Sequence, residues 1–124
     1  RRPWLGDRPS LYPTGPLING VAMVMAEVTI VPIGVGASLS DYVTEAVSVA
    51  LRSGLKVRVT PTSTILEGEL DEIMRVIREM HESQFLKGAP RVLTVVKIDD
   101  RRDKVVTMEY KVEVVEKKLR ERIG

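Results

Sequence analysis

The chain has 124 residues and a mass of 13.8 kDa; it is 44% hydrophobic and 29% charged. That suffices for one domain with its own core and is too apolar for a disordered segment. It contains no cysteine and a single histidine, His81. This excludes disulfides, thiolate metal sites, a Cys nucleophile and a zinc site built on several imidazoles; a Ser-His-Asp hydrolase would have to use His81 as its base. Nineteen Lys and Arg oppose seventeen Asp and Glu. The excess lies in the first twenty residues, where Arg1, Arg2 and Arg8 face only Asp7. A neutral domain behind a short basic leader is a poor nucleic-acid binder.

Residues 1–20 hold Pro3, Pro9, Pro13 and Pro16, four of the seven prolines, which forbids a regular helix or central strand there. We read them as an unstructured or extended leader, an upstream extension or mis-set start, and residues 21–124 as a single domain. A twin-arginine export signal is the alternative for Arg1-Arg2, but Glu27 interrupts the apolar stretch that would follow. No run approaches the ~18 apolar residues of a membrane span, so a cytoplasmic protein without membrane contact is expected.

Val21–Val31 is rich in β-branched residues and bounded by Gly20 and Pro32, which reads as a strand. Gly34–Ser38 is a loop. From Leu39 the apolar residues fall at Tyr42, Val43, Ala46, Val47, Ala50 and Leu51, a helical spacing, with Ser38 as expected N-cap and Gly54 as stop. Lys56–Thr60 and Thr64–Glu67 read as a hairpin around Pro61-Thr62-Ser63, ended by Gly68. A second helix opens on Glu69, Asp71 and Glu72, acids at its positive dipole end. Its expected stripe is Leu70, Ile73, Met74, Ile77, Met80 and His81, closed by Lys87–Pro90. Arg91–Ile98 is another strand, Asp99–Asp103 a charged turn, and Met108, Val112, Val115 and Leu119 mark a final helix. The order βαββαβ with right-handed crossovers leaves an α+β, ferredoxin-like sandwich with an additional C-terminal helix as the simplest topology.

Two helices cover one face of a four-stranded sheet, so the other face of a monomer should be polar. Here the first strand offers Ala22, Val24, Ala26, Val28 and Ile30 on one face and Met23, Met25, Glu27, Thr29 and Val31 on the other, and the last sets Val92, Thr94, Val96 and Ile98 against Leu93, Val95, Lys97 and Asp99, so both are largely apolar on both faces. A second copy is the economical cover, with Met25, Leu93 and Val95 as interface residues; coverage by the C-terminal helix is the alternative.

The Gly34-x-Gly36 pair lacks the third glycine of a dinucleotide fingerprint, Leu39 standing in its place, and reads as a strand–helix turn. Ser38, Ser40 and the first amides of the helix are candidates for holding a polar ligand edge. His81 is either a structural histidine or a ligand or catalytic group. Thr62-Ser63-Thr64 with Glu67 forms a compact set of hydroxyls and a carboxylate. Glu27, Glu67 and Asp99 would suit a cationic ligand if their registers bring them together, and are otherwise solvated.

Four segments, Glu27-x-Thr29-Ile30-Val31-Pro32-x-Gly34, Ser38-Leu39-Ser40-x-Tyr42-Val43, Thr64–Glu69 and Lys97–Lys104, occur in this order. In series they closely resemble the family of small thiamine-binding ferredoxin-like proteins of bacteria, archaea and fungi, from about Met25 to the C-terminus. The resemblance implies a βαββαβ protomer, a homotetramer built as a dimer of dimers, and non-catalytic binding of thiamine or a related pyrimidine. On that reading no metal or resident cofactor is expected beyond bound thiamine. Ligand-binding candidates are Ser38, Ser40, Tyr42, Thr64, Glu67, His81 and Asp99. Glu67 would face the cationic thiazolium, Thr64 and Ser40 would hydrogen-bond the ligand, and Tyr42 would supply a wall. Arg101 is expected to form an interprotomer ion pair. Two other readings stay open: an enzyme of thiamine-related metabolism using Glu67 and His81 as an acid–base pair, and a regulatory or structural subunit whose sheet face binds another protein.

Overall fold

The computed structural model describes residues 17–18, 21–102 and 108–123. Strand β1 (Leu17–Ile18) folds back on the start of β2 (Val21–Ile33), pairing Leu17 with Ala22. It belongs to the segment read as a leader, most of which lies outside the described residues. There follow α1 (Ser40–Arg52), β3 (Lys56–Val59), β4 (Thr64–Glu69), α2 (Leu70–Lys87), β5 (Arg91–Asp99) and α3 (Met108–Ile123). The sheet runs β3-β4-β2-β5, antiparallel at each pairing, with β2 central. α1 and α2 lie on one face. This is the ferredoxin-like arrangement, α+β, with a C-terminal helix added. No helix among the described residues is long and apolar enough to cross a membrane.

Alternation along β2 assigns the faces. Val24, Ala26 and Val28 are buried under the helices, opposite Gly68, Leu66 and Thr64 of β4. They meet Ala46, Val49 and Ala50 of α1 and Ile73, Val76, Ile77 and Met80 of α2 in one core. Side chains of odd-numbered β2 residues take the far face, as expected for a period of two.

Three local expectations are corrected. Met74 is 47% exposed and Val76, a half-turn away, is fully buried in its place; α2 meets the sheet along 73-76-77-80, a stripe rotated from the one the sequence spacing suggested. Ser38 does not cap α1: the N-cap is Leu39, without a side-chain cap bond. Gly68 does not end β4, which continues to Glu69. Its missing side chain leaves room for Leu55, because a Cβ there would lie 2.7 Å from Leu55 Cδ2. The glycine is a packing device inside the strand, not a breaker.

Candidate functional site

β2 outruns β4. Their pairing ends at Val28 opposite Thr64, whereas β2 continues to Ile33 alongside β5. Past that point the β4 side of β2 has no strand partner among the described residues, and the β3–β4 turn arches beside it. The result is a cavity of about 300 Å³ with Val28–Val31 as floor, Val43, Ala46 and Val47 of α1 with Met80 of α2 as one wall, and Val59–Thr64 as the other. Its lining joins aliphatic side chains to the hydroxyl-bearing residues Thr60, Thr62, Ser63 and Thr64, and none of the described residues that line it is ionisable.

The turn is held by its own hydroxyls. Thr60 Oγ1 accepts from the Ser63 backbone N–H at 3.0 Å, and the Thr60 N–H donates to the Ser63 carbonyl at 2.9 Å. Thr29 Oγ1 donates to the Thr62 carbonyl at 3.2 Å, and Ser63 Oγ donates to Glu27 Oε2 at 3.0 Å. β2 thereby fastens the cavity's polar wall at two points.

Of the seven ligand candidates, Thr64 lines this cavity. Ser38 and Ser40 are exposed at the start of α1, where the Ser40 carbonyl accepts from Thr44 Oγ1 at 2.7 Å. Tyr42 faces the end of α2: Lys87 Nζ lies 5.6 Å from its ring centroid, and its carbonyl accepts from Gln84 Nε2 at 3.0 Å. His81 Nδ1 lies 2.6 Å from Thr94 Oγ1 of β5, and its ring meets Phe85 edge-on at 5.4 Å.

Glu67 and Asp99 lie on the other face of the sheet. Lys56, Glu67, Met25 and Asp99 form one row across β3, β4, β2 and β5. α3 grips both ends of it: Glu109 pairs with Lys56 at 2.5 Å and with Arg58 at 3.4 Å, and Lys111 pairs with Asp99. Glu67, between these anchors, is only 3% exposed. Burial pushes the Glu109 carboxyl up, but the Lys56 hydrogen bond and the Lys56 and Arg58 charges outweigh it and hold its pKa below the ordinary carboxylate value. Beyond the row, Arg102 hydrogen-bonds Asp100 through Nε and Nη2, which lowers the Asp100 pKa. Arg101 is exposed on the same turn.

The arrangement separates groups that the sequence reading had joined. Glu67 and His81 stand on opposite faces of the sheet, so they do not form an acid–base pair in one cleft. Glu27, Glu67 and Asp99 share the far face without converging: Met25 stands between Glu67 and Asp99 in the register, and Glu27 bonds Ser63. No group of three potential metal-ligating side chains is found among the described residues. α3 straps one end of the far face, where Met25 is half-buried; Leu93 and Val95, 50% and 55% exposed, lie toward the other end. Both expected covers of that face therefore have a place on it, the helix at one end and an open apolar patch at the other.

The hydroxyl wall was visible in the sequence as Thr62-Ser63-Thr64. The aliphatic wall of Val43, Val47 and Met80 was not, since those residues carry an ordinary helical core pattern. The signal that could have found it is the length of β2 against that of β4.

The sequence model of a family described as thiamine-binding protein matches residues 26–116. The Bacillus subtilis UPF0045 protein YqgV is 43% identical over 102 residues, covering 78% of this chain and 98% of its own. The Methanocaldococcus jannaschii protein MJ1052 is 45% identical over 92 residues, covering 74% and 91%. Its crystal structure superposes with a TM-score of 0.71 at 42% identity, over 76% of this chain and 96% of that one. A Thermotoga maritima structure, of a protein proposed for thiamine biosynthesis or salvage, gives a TM-score of 0.65 at 26% identity, over 75% and 98%. With the sandwich, the added helix and the matched span in agreement, the chain belongs to the thiamine-binding protein family.

Proposed function

We propose that this protein binds thiamine or a related pyrimidine without performing chemistry on it, as a cytoplasmic homotetramer assembled from sheet-packed dimers. The observation that carries the reading is the cavity at the end of β2. Its volume of about 300 Å³ falls at the small end of the range for small-molecule pockets. A pyrimidine needs an apolar slot for its ring and hydrogen-bonding groups for its edge, and the cavity offers both. Family membership supports thiamine-related ligands over other heterocycles. The exposed Leu93 and Val95 support assembly through the far face of the sheet. Thiamine in this reading is cargo and not a cofactor.

The test is calorimetric titration of the purified protein with thiamine, after light scattering has fixed its assembled mass. Saturable binding to a tetramer is the expected result. A tetramer that produces no heat with thiamine or its pyrimidine half would overturn the ligand.

A further inference from the structure

The groups that hold the cavity's polar wall in place belong to the opposite face of the sheet. The β2–β4 ladder ends at Val28 opposite Thr64, and the turn before it closes on itself through Thr60 and Ser63. Among the described residues, the hydrogen bonds that tie Thr60–Ser63 to β2 come from two side chains, Glu27 and Thr29. These flank Val28, which is buried under the helices, so alternation along the strand places both on the far face. Glu27 is exposed there, with Lys97 as its register partner on β5. It is not one of the described residues that line the cavity.

An ionised carboxylate only accepts hydrogen bonds, so the Ser63 hydroxyl gives its proton to Glu27. Ser63 Oγ can then only accept from Thr60 Oγ1, 2.7 Å away. The other acceptor within reach of the Thr60 hydroxyl is the Ser63 carbonyl, at 3.1 Å, and either choice points its proton at Ser63. One carboxylate outside the cavity thus fixes both the place of the turn and the direction of two of its hydroxyl protons. The bond is charge-assisted, which makes it stronger than the neutral Thr29–Thr62 bond beside it.

We infer that Glu27 is a positioning residue for the cavity: from the far face of the sheet, acting through Ser63, it holds the β3–β4 turn where a ligand needs it. This rests on the thiamine-related reading above and adds to it a control point that the ligand does not touch.

The test is calorimetric titration of thiamine into the full chain and its variants. Glu27→Ala should weaken thiamine by about tenfold, the loss of one hydrogen bond to a charged acceptor, while Glu27→Gln, whose amide oxygen still accepts from Ser63, should stay within about threefold. Ser63→Ala should weaken thiamine as well. Adding Glu27→Ala to Ser63→Ala should then cost nothing further, because the two residues act through one bond. Hydrogen exchange gives a readout that needs no ligand. The amides of Thr60 and Ser63 should exchange faster in Glu27→Ala while those of Val76 and Ile77 in α2 keep their rates; general destabilisation would speed both sets. A Glu27→Ala protein that binds thiamine as tightly as the wild type, or a further loss on top of Ser63→Ala, overturns the inference and spares the general reading. Silence of the wild type toward both thiamine and its pyrimidine half overturns the general reading, and the exchange of the turn amides reports on the tether separately.

Discussion

Thr64 and Glu67 stand three residues apart on β4 and serve opposite faces of the sheet: Thr64 opposes Val28 beneath the helices, and Glu67 opposes Met25 on the far side. An odd spacing on a strand always has this effect. The hydroxyl and the carboxylate that look like one binding motif in the sequence are therefore separated by the thickness of the sheet, and each answers to a different neighbourhood.

Glu67→Gln should act on stability and leave recognition alone. The side chain is buried in the row gripped by α3, so replacing its carboxyl by an amide should cost about 1–3 kcal/mol, read as a lower denaturant midpoint. Affinities for thiamine and for the pyrimidine should stay within about twofold, as expected for sites without shared partners. A selective loss of thiamine affinity would instead place the carboxylate at the ligand.

Gly68→Ala tests the packing of β4 on the core. The added methyl would sit 2.7 Å from Leu55 Cδ2, and Leu55 is itself buried. Overpacking of this kind costs about 1–3 kcal/mol. Leu55→Val in the same chain should recover part of that loss, and a double-mutant cycle by chemical denaturation measures the coupling.

The grip of α3 should depend on pH. The pKa of Glu109 is lowered in the folded protein, so its stabilising effect is present above the unfolded-state pKa and is lost as pH falls through the folded one. Solvent screening limits the effect to about 1 kcal/mol or less. Thermal melts of the wild type and of Glu109→Gln should differ at neutral pH and converge in acid. Molar salt should also narrow the gap at neutral pH.

Val95→Glu probes the far face. Val95 is half exposed and its substitution should change the protomer's stability by only about 0.5 kcal/mol. In the proposed sheet-packed assembly this position falls in a buried contact, where a charge is far more costly than on a solvated surface. Light scattering should therefore report a smaller assembly, with circular dichroism unchanged. An unaltered mass would move the contact elsewhere.

The order of elements was legible because each carried an independent local signal: β-branched residues in β2, the Pro61-Thr62-Ser63 turn, acids opening α2, Gly88 and Pro90 after it. Gly88 has a φ of 117°, the left-handed C-cap that the sequence suggests. The failures share one cause. Gly68 has the composition of a breaker, but its role is set by Leu55, thirteen residues away in sequence and adjacent in space. Met74 and Val76 fit alternative helical stripes, and the sheet's position chose between them. Gln84, fully buried with its Nε2 bonded to the Tyr42 carbonyl, is a polar residue inside the core where hydropathy places none. The cavity was hidden for the same reason, since its existence depends on where one strand stops beside another.

The unequal reach of β2 also orders the assembly of the chain. Its pairing with β4 closes separations of 36 to 46 residues, from Val28–Thr64 to Met23–Glu69. Its pairing with β5 closes 58 to 74, from Ile33–Arg91 to Met25–Asp99. Longer loops cost more entropy to close, and chains dominated by distant pairings fold slowly. β5 is thus the late strand, added to a β3-β4-β2 template that holds the hairpin turn beside β2 before the sheet is complete. Until it docks, Thr94 cannot meet His81 and Asp99 cannot anchor Lys111. A nascent chain therefore spends its slowest interval with one edge of its longest strand bare, the stage at which pairing with another molecule would compete with folding.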